Sequence, residues 1–241
     1  LPHDQGVASA KYQYKGKTRI VDFITQGDYK KPDKGVLYIL DRANCRAGWK
    51  TLDYPHPGGC QVASKYLAIP YHEETLFYDV GKLLEHGKLS KPPKVHAYVV
   101  TESGEKTKVP RSVWCVGFVE LKGGGFRLAI LQGGISFYDG KWTGSALEFR
   151  KVAECKTDLE EFDKPNNANL IKDAKGNTWL LTFTYSWPYS YVTAYSLKFR
   201  NGKALLKQQV RCTMGANAGF RWGAGICHFE DGNVGIAASR K

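Results

Sequence analysis

The sequence predicts an all-β fold made of repeated four-stranded units, and three observations carry the prediction. A dipeptide marker recurs at fixed spacing, the stretches behind it alternate apolar and polar residues, and turn-forming residues punctuate the alternation. Pro55-His56, Pro110-Arg111 and Pro165-Asn166 stand 55 residues apart, Pro2-His3 lies 53 before the first of them, and Phe220-Arg221 falls 55 after Pro165. Five residues past each proline come Val7, Cys60, Cys115 and Leu170, so an apolar side chain keeps its phase in four copies. In the fifth copy Cys227 lies seven past Phe220. With Gly 26 and Pro 10 in 241 residues, the chain has the turn formers that such a fold needs.

Each unit resolves into strands in order. First strands follow the markers, as in Gly58-Gly-Cys-Gln-Val-Ala63, Val113-Trp-Cys-Val-Gly-Phe118 and Asn169-Leu-Ile171. Second strands are predicted at Tyr66–Tyr71, Phe126–Leu131 and Trp179–Thr184. They are reached through Lys122-Gly-Gly-Gly125 and Asp173-Ala-Lys-Gly-Asn177, where glycine and asparagine supply the positive φ that tight hairpins require. Third strands fall at Val36–Asp41, Thr75–Asp79, Ile135–Asp139 and Tyr191–Tyr195, and fourth strands at Trp49–Tyr54, Lys94–Val100, Leu147–Ala153 and Ala204–Arg211. Only Val80–His86 and Leu159–Phe162 read as short helices. Four antiparallel strands per repeat make a propeller blade, and the five starts near residues 2, 55, 110, 165 and 220 make 1–241 a single five-bladed domain.

Five starts at this period resemble five-bladed β-propellers, a fold shared by some lectins and some enzymes acting on polysaccharides. The openings His3-Asp-Gln-Gly6 and His56-Pro-Gly-Gly59 resemble those of poorly characterised secreted bacterial propellers. The resemblance covers the whole chain as architecture and implies no particular chemistry. Five full periods exceed the 241 residues, and the last unit supplies only an inner pair of strands. The fifth blade is therefore incomplete in this chain, and the expectation is that residues before Leu1 in the native precursor complete it. A four-bladed ring with an extra hairpin is the alternative.

In a propeller the links between blades and the links between second and third strands pass over one face. The residues after the repeated markers then form one ring of His3, His56, Arg111, Asn166 and Arg221, with Asp4 beside it. All five are polar, whereas a repeated core position would be apolar, because burying unpaired polar groups is costly. The ring is cationic, and arginine grips carboxylate, sulfate or phosphate with paired hydrogen bonds. An equally open reading is that these side chains tie neighbouring blades together through loop carbonyls and water. Thr184-Tyr-Ser-Trp-Pro-Tyr-Ser-Tyr191 adds aromatic rings to the same face; Trp187 beside Pro188 is the expected exposed platform for a sugar or base, with Tyr185 and Tyr191 turned inward. Tyr71-His-Glu-Glu-Thr75 can offer acids or metal ligands to the same basin.

Composition bounds the partners. A hydrophobic fraction of 42% with 24% charged residues fits a chain that can bury a core. No run reaches the roughly 18 apolar residues of a membrane helix, and the first residues lack the charged and apolar regions of a signal peptide. Lys+Arg 35 against Asp+Glu 23 gives a net charge of +12, which favours an anionic small molecule, an acidic glycan or a cell-surface polyanion. No nucleic-acid motif is present. Cys-x-x-Cys is absent, so no structural metal is expected, and no cofactor is implied. Six cysteines, with Cys45–Cys60 and Cys212–Cys227 both 15 apart, lead us to expect one or two disulfides and a secreted or periplasmic location. Cys115 and Cys155, on the inner and outer strands of one blade, are too far apart to bond directly.

The expected function is thus an exported, non-enzymatic propeller holding an anionic or carbohydrate ligand over its axis. The alternative is a lyase or hydrolase acting on an acidic polysaccharide, in which Arg111 or Arg221 neutralises a carboxylate while His3 or His56 moves a proton. A paired-carboxylate glycosidase needs two acids, and the ring offers only Asp4 unless Glu73 or Glu74 joins it.

Overall fold

The computed structural model describes residues 4–14, 16–27, 34–44, 46–85, 94–155, 165–214, 218–229 and 233–240. Of these described residues, strand accounts for 70% and helix for 5%, which makes the fold all-β. The first unit is β1 (Asp4–Tyr14), β2 (Lys17–Gly27), β3 (Gly35–Asp41) and β4 (Arg46–Leu52), each antiparallel to the next. The second is β5 (Gln61–Ala63), β6 (Tyr66–Tyr71), β7 (Glu74–Asp79) and β8 (Lys94–Val95), with helix α1 (Val80–Glu85) after β7. A side ribbon, β9 (Ala97–Val100) and β10 (Lys106–Lys108), precedes the third unit of β11 (Val116–Glu120), β12 (Phe126–Leu131), β13 (Ile135–Trp142) and β14 (Leu147–Cys155). The fourth unit is β15 (Asn167–Lys172), β16 (Thr178–Ser186), β17 (Tyr189–Arg200) and β18 (Lys203–Met214), and the fifth is the hairpin β19 (Ala218–His228) and β20 (Val234–Arg240).

Alternation along the strands explains the packing. Successive side chains point to opposite faces, so a strand buried on both sides reads as almost continuously apolar. In β6, Leu67 and Ile69 join Val21, Phe23 and Leu37 of the first unit, while Tyr66 and Ala68 join Phe118, Leu128 and Phe149 of the third. In β12, Leu128 and Ile130 face the second unit, whereas Ala129 and Leu131 face Leu170, Leu180 and Tyr195 of the fourth. A smaller core joins Phe183 and Val192 to Phe220 and Ile226 of the fifth. One core thus fills each gap between successive units, and the first strands of the units touch in cyclic order, β1 to β5, β11, β15, β19 and back to β1.

The sheets are not five separate blades. β19 pairs parallel with β1, which merges the fifth and first units into the six-stranded order β20-β19-β1-β2-β3-β4. β14 meets β18 in parallel at Glu154 and Lys203, so the third and fourth units form a nearly closed, barrel-like sheet of eight strands whose ends, β11 and β15, contact each other. The expected fourth strand at Lys94–Val100 is also corrected. Only Lys94 and Val95 pair with β7, and beyond His96 the chain pairs with β14 and β10 instead. The expected helix at Leu159–Phe162 lies outside the described residues.

The disulfide expectation is overturned among the described residues: Cys60, Cys115, Cys155, Cys212 and Cys227 form no disulfide. Cys60 is buried with its Sγ donating to the Phe23 carbonyl at 3.9 Å. Cys212 is exposed on β18 opposite Val192, whereas Cys227 is buried on β19 opposite Gly235, so equal spacing in sequence does not bring them together. Burial pushes the Cys60 and Cys115 thiols up to about 12, which keeps them protonated and inert. Cys45 lies outside the described residues. Among the described residues no helix is long and apolar enough to cross a membrane.

Candidate ligand-binding site

The corner before β11 is built by the second unit. Thr75 at the start of β7 donates its N–H to the Val109 carbonyl at 3.0 Å and its Oγ1 to the Pro110 carbonyl at 2.7 Å, which seats the Pro110-Arg111 step on β7. Arg111 then lies with its guanidinium 5.0 Å from the Tyr54 ring centroid. Tyr54 also meets Tyr71 at 5.6 Å and the edge of His72 at 5.5 Å between ring centroids. The link before β5, the β6–β7 hairpin and the link before β11 therefore share one face at this place. Lys94 stands over Tyr71 at 5.5 Å, and Lys108 pairs with Glu74 at 3.4 Å.

Arg111 is the chemically distinctive group. It is half-buried, and among the described residues its Nε is buried with no hydrogen-bond partner. One face of the guanidinium is thus satisfied by an aromatic ring, while an N–H edge lacks an acceptor. Burial is the main cause holding the Tyr71 phenol above its ordinary value, so at neutral pH it stays a neutral hydroxyl. Glu74 is already committed to Lys108, and the Glu73 side chain is 84% exposed beside His72 at 3.9 Å. Among the described residues no three His, Cys, Asp or Glu side chains form a metal cluster.

The other expected site residues have varied fates. Asn166 serves its own unit: its N–H donates to the Phe183 carbonyl at 2.9 Å and its Oδ1 accepts from the Tyr185 N–H at 3.0 Å. These bonds stay within the fourth unit and do not tie neighbouring blades, the reading left open from sequence. His56 is exposed, close to the α-carbon face of Gly27, where an added Cβ would stand 3.7 Å from Nδ1. Trp187, 75% exposed, caps the β16–β17 hairpin above the Ser186–Tyr189 pair, as expected of a platform. Tyr185 and Tyr191 are half-buried and not core, and Arg211 covers the Tyr191 ring at 4.2 Å. His3 lies outside the described residues, as do the side chains of Asp4, which opens β1, and Arg221, which falls within β19.

Sequence reasoning missed what occupies the centre between first strands. Gln61 is buried and makes three hydrogen bonds: its Oε1 accepts from the N–H groups of Phe118 at 2.7 Å and Leu170 at 2.9 Å, and its Nε2 donates to the Leu170 carbonyl at 2.5 Å. One side chain of β5 thereby ties β11 and β15. Asn167 reaches across to the Gln5 carbonyl at 3.1 Å, and a Cβ on Gly59 would stand 1.8 Å from its Oδ1. A Cβ on Gly6 would stand 2.3 Å from the Gly59 α-carbon. The available signal was Gly6 and Gly59 in the same phase, four residues past Pro2 and Pro55, with a lone glutamine inside an otherwise apolar strand.

A second polar chain lies beside β1. The Ser9 hydroxyl donates to Asp22, whose carboxylate also accepts from Arg42 at 2.5 and 2.8 Å. Burial pushes the nearby Cys227 thiol up despite the pull of Arg42. The Asp22 carboxylate, held by Arg42, thus joins β1 and β2 beside Cys227 of β19. Compared with known proteins, the chain matches no protein-family model and no curated protein.

Proposed function

We propose that the protein is a five-bladed β-propeller that binds an anionic or acidic carbohydrate ligand on the face carrying Arg111. The cyclic order of first-strand contacts and the one core per inter-unit gap support the propeller reading, with the fifth unit represented by a hairpin. The observation that carries the binding reading is the half-buried Arg111, stacked on Tyr54 with its Nε lacking an acceptor. A carboxylate or sulfate supplies that acceptor, and a charge-assisted hydrogen bond in a partly desolvated site contributes about 1.5–3 kcal/mol. Lys94, Lys108 and the net charge of +12 favour the approach of such an ion. Free thiols lend no support to a secreted or periplasmic location, and the reading does not depend on one.

The alternative of catalysis on an acidic polysaccharide draws less support. Glu74 is held by Lys108 and Glu73 is solvated, so neither acid is positioned for proton transfer. Titration calorimetry with sulfate and with an oligouronate tests the proposal. Binding weakened about tenfold or more in Arg111→Ala, with Trp187→Ala affecting only the oligouronate, is the expected outcome. Equal affinity of wild type and Arg111→Ala for both ligands overturns it. Turnover of a uronate polymer that disappears in His56→Ala promotes the enzymatic alternative.

A further inference from the structure

Where the first strands run on past Gln61, they form a half-open cavity of about 400 Å³ lined by residues of β1, β5, β11, β15, β19 and β20. Its wall is mainly apolar, with Val7, Val62, Phe118, Leu170, Ile171 and Ile226. Arg111 does not line it, so it is distinct from the site above. The volume lies in the range of small-molecule sites, which are typically apolar with a few placed polar groups.

One such group is present. Asn169 lines the cavity, is 3% exposed, and its Oδ1 is buried without a hydrogen-bond partner among the described residues. It shares a strand face with Asn167, whose amide is used at the centre, whereas Ala168 between them turns into the core toward the third unit. Of the other polar groups, both ends of the Gln61 amide are bonded to backbone and the Ser9 hydroxyl is on Asp22, while Ser64 and Lys172 are exposed and Glu120 is half-buried. Buried acceptors in native proteins nearly always have a donor.

We propose that this cavity binds a compact, largely apolar molecule carrying one N–H or O–H donor, which the donor presents to Asn169 Oδ1. An aromatic heterocycle of one or two rings fits both the volume and the Asn169 acceptor. The recognition is by shape for the ring and by one hydrogen bond for the donor.

The test uses indole and its donor-free analogue indene as probes of the whole chain, read by ligand-observed NMR titration. Wild type should bind indole roughly three- to tenfold more tightly than indene, the worth of one net hydrogen bond. Asn169→Leu, with the same branching at Cγ, should remove that preference while keeping indene binding. Val119→Trp, which fills the cavity from a half-buried position, should abolish binding of both while the thermal transition persists. No binding of either probe at millimolar concentration, or indole bound equally by wild type and Val119→Trp, overturns the proposal. An unchanged preference in folded Asn169→Leu does the same. Sulfate binding at Arg111 is measured on the same samples, so the two sites fail or stand separately.

Discussion

Gln61 shows how one residue can decide a fold's centre. Its amide satisfies two backbone N–H groups and one carbonyl from two other units, on β11 and β15, the two end strands of their sheet. Removing it leaves those groups buried and unpaired, at about 1–3 kcal/mol each. Gln61→Leu, which keeps the volume, is therefore expected to destabilise the protein by about 3 kcal/mol or more, measured by urea unfolding; a loss under about 1 kcal/mol would show the amide to be dispensable. Gly59 belongs to the same argument, since the oxygen of Asn167 occupies the place of a side chain. From sequence, Gln61 looks like any polar residue on a strand. Its role depends on partners more than 50 residues away, which no local pattern encodes.

Among elements, the β15–β16 hairpin behaves as its residues dictate. Asp173 Oδ1 accepts from the N–H groups of Lys175 and Asn177, both at 2.9 Å, and Oδ2 accepts from the Asn177 side-chain amide at 2.9 Å and the Trp179 indole at 3.1 Å. Gly176 takes φ 85°, the left-handed geometry that the turn needs. These bonds, the Asn177 amide first and the indole next, hold the Asp173 carboxyl down to about 2. Because the folded value lies below the unfolded one of about 3.9, the turn's contribution is complete above that value and is lost as pH falls from about 4 to 2. Carboxyl NMR shifts should titrate with a midpoint near 2 for Asp173, and Asp173→Asn should flatten the fall in stability across that window. A midpoint near 4 would mean the bonds do not persist in solution. This hairpin, β6 and β12 were all legible, because alternation and turn chemistry are local. The segment after Lys94 was not: it alternates as a strand should, but its partner is β14, chosen by packing.

At the scale of the molecule, cohesion rests on the gaps between units. Phe220 at the start of the fifth unit is fully buried and meets Phe183 of the fourth edge-on at 5.5 Å between ring centroids. With β19 paired to β1, this contact helps to join the last unit to both its neighbours. Phe220→Ala should cost about 3–5 kcal/mol, seen as a lowered midpoint in urea, and should speed hydrogen exchange in β19 and β20 before it does so in β6 or β12. Uniform exchange across all units would instead mean that the ring opens only as a whole.

Most strand positions and the turn chemistry follow from the sequence alone, because each arises from residues within one hairpin. Which strands become neighbours was decided by the tertiary structure: β14 on β18, β19 on β1, thiols kept apart, Arg111 on Tyr54 and an unpaired Asn169 beside a central cavity. The physical reason is that burying both faces of several sheets at once is a condition on the whole chain, and a repeat read one unit at a time does not contain it.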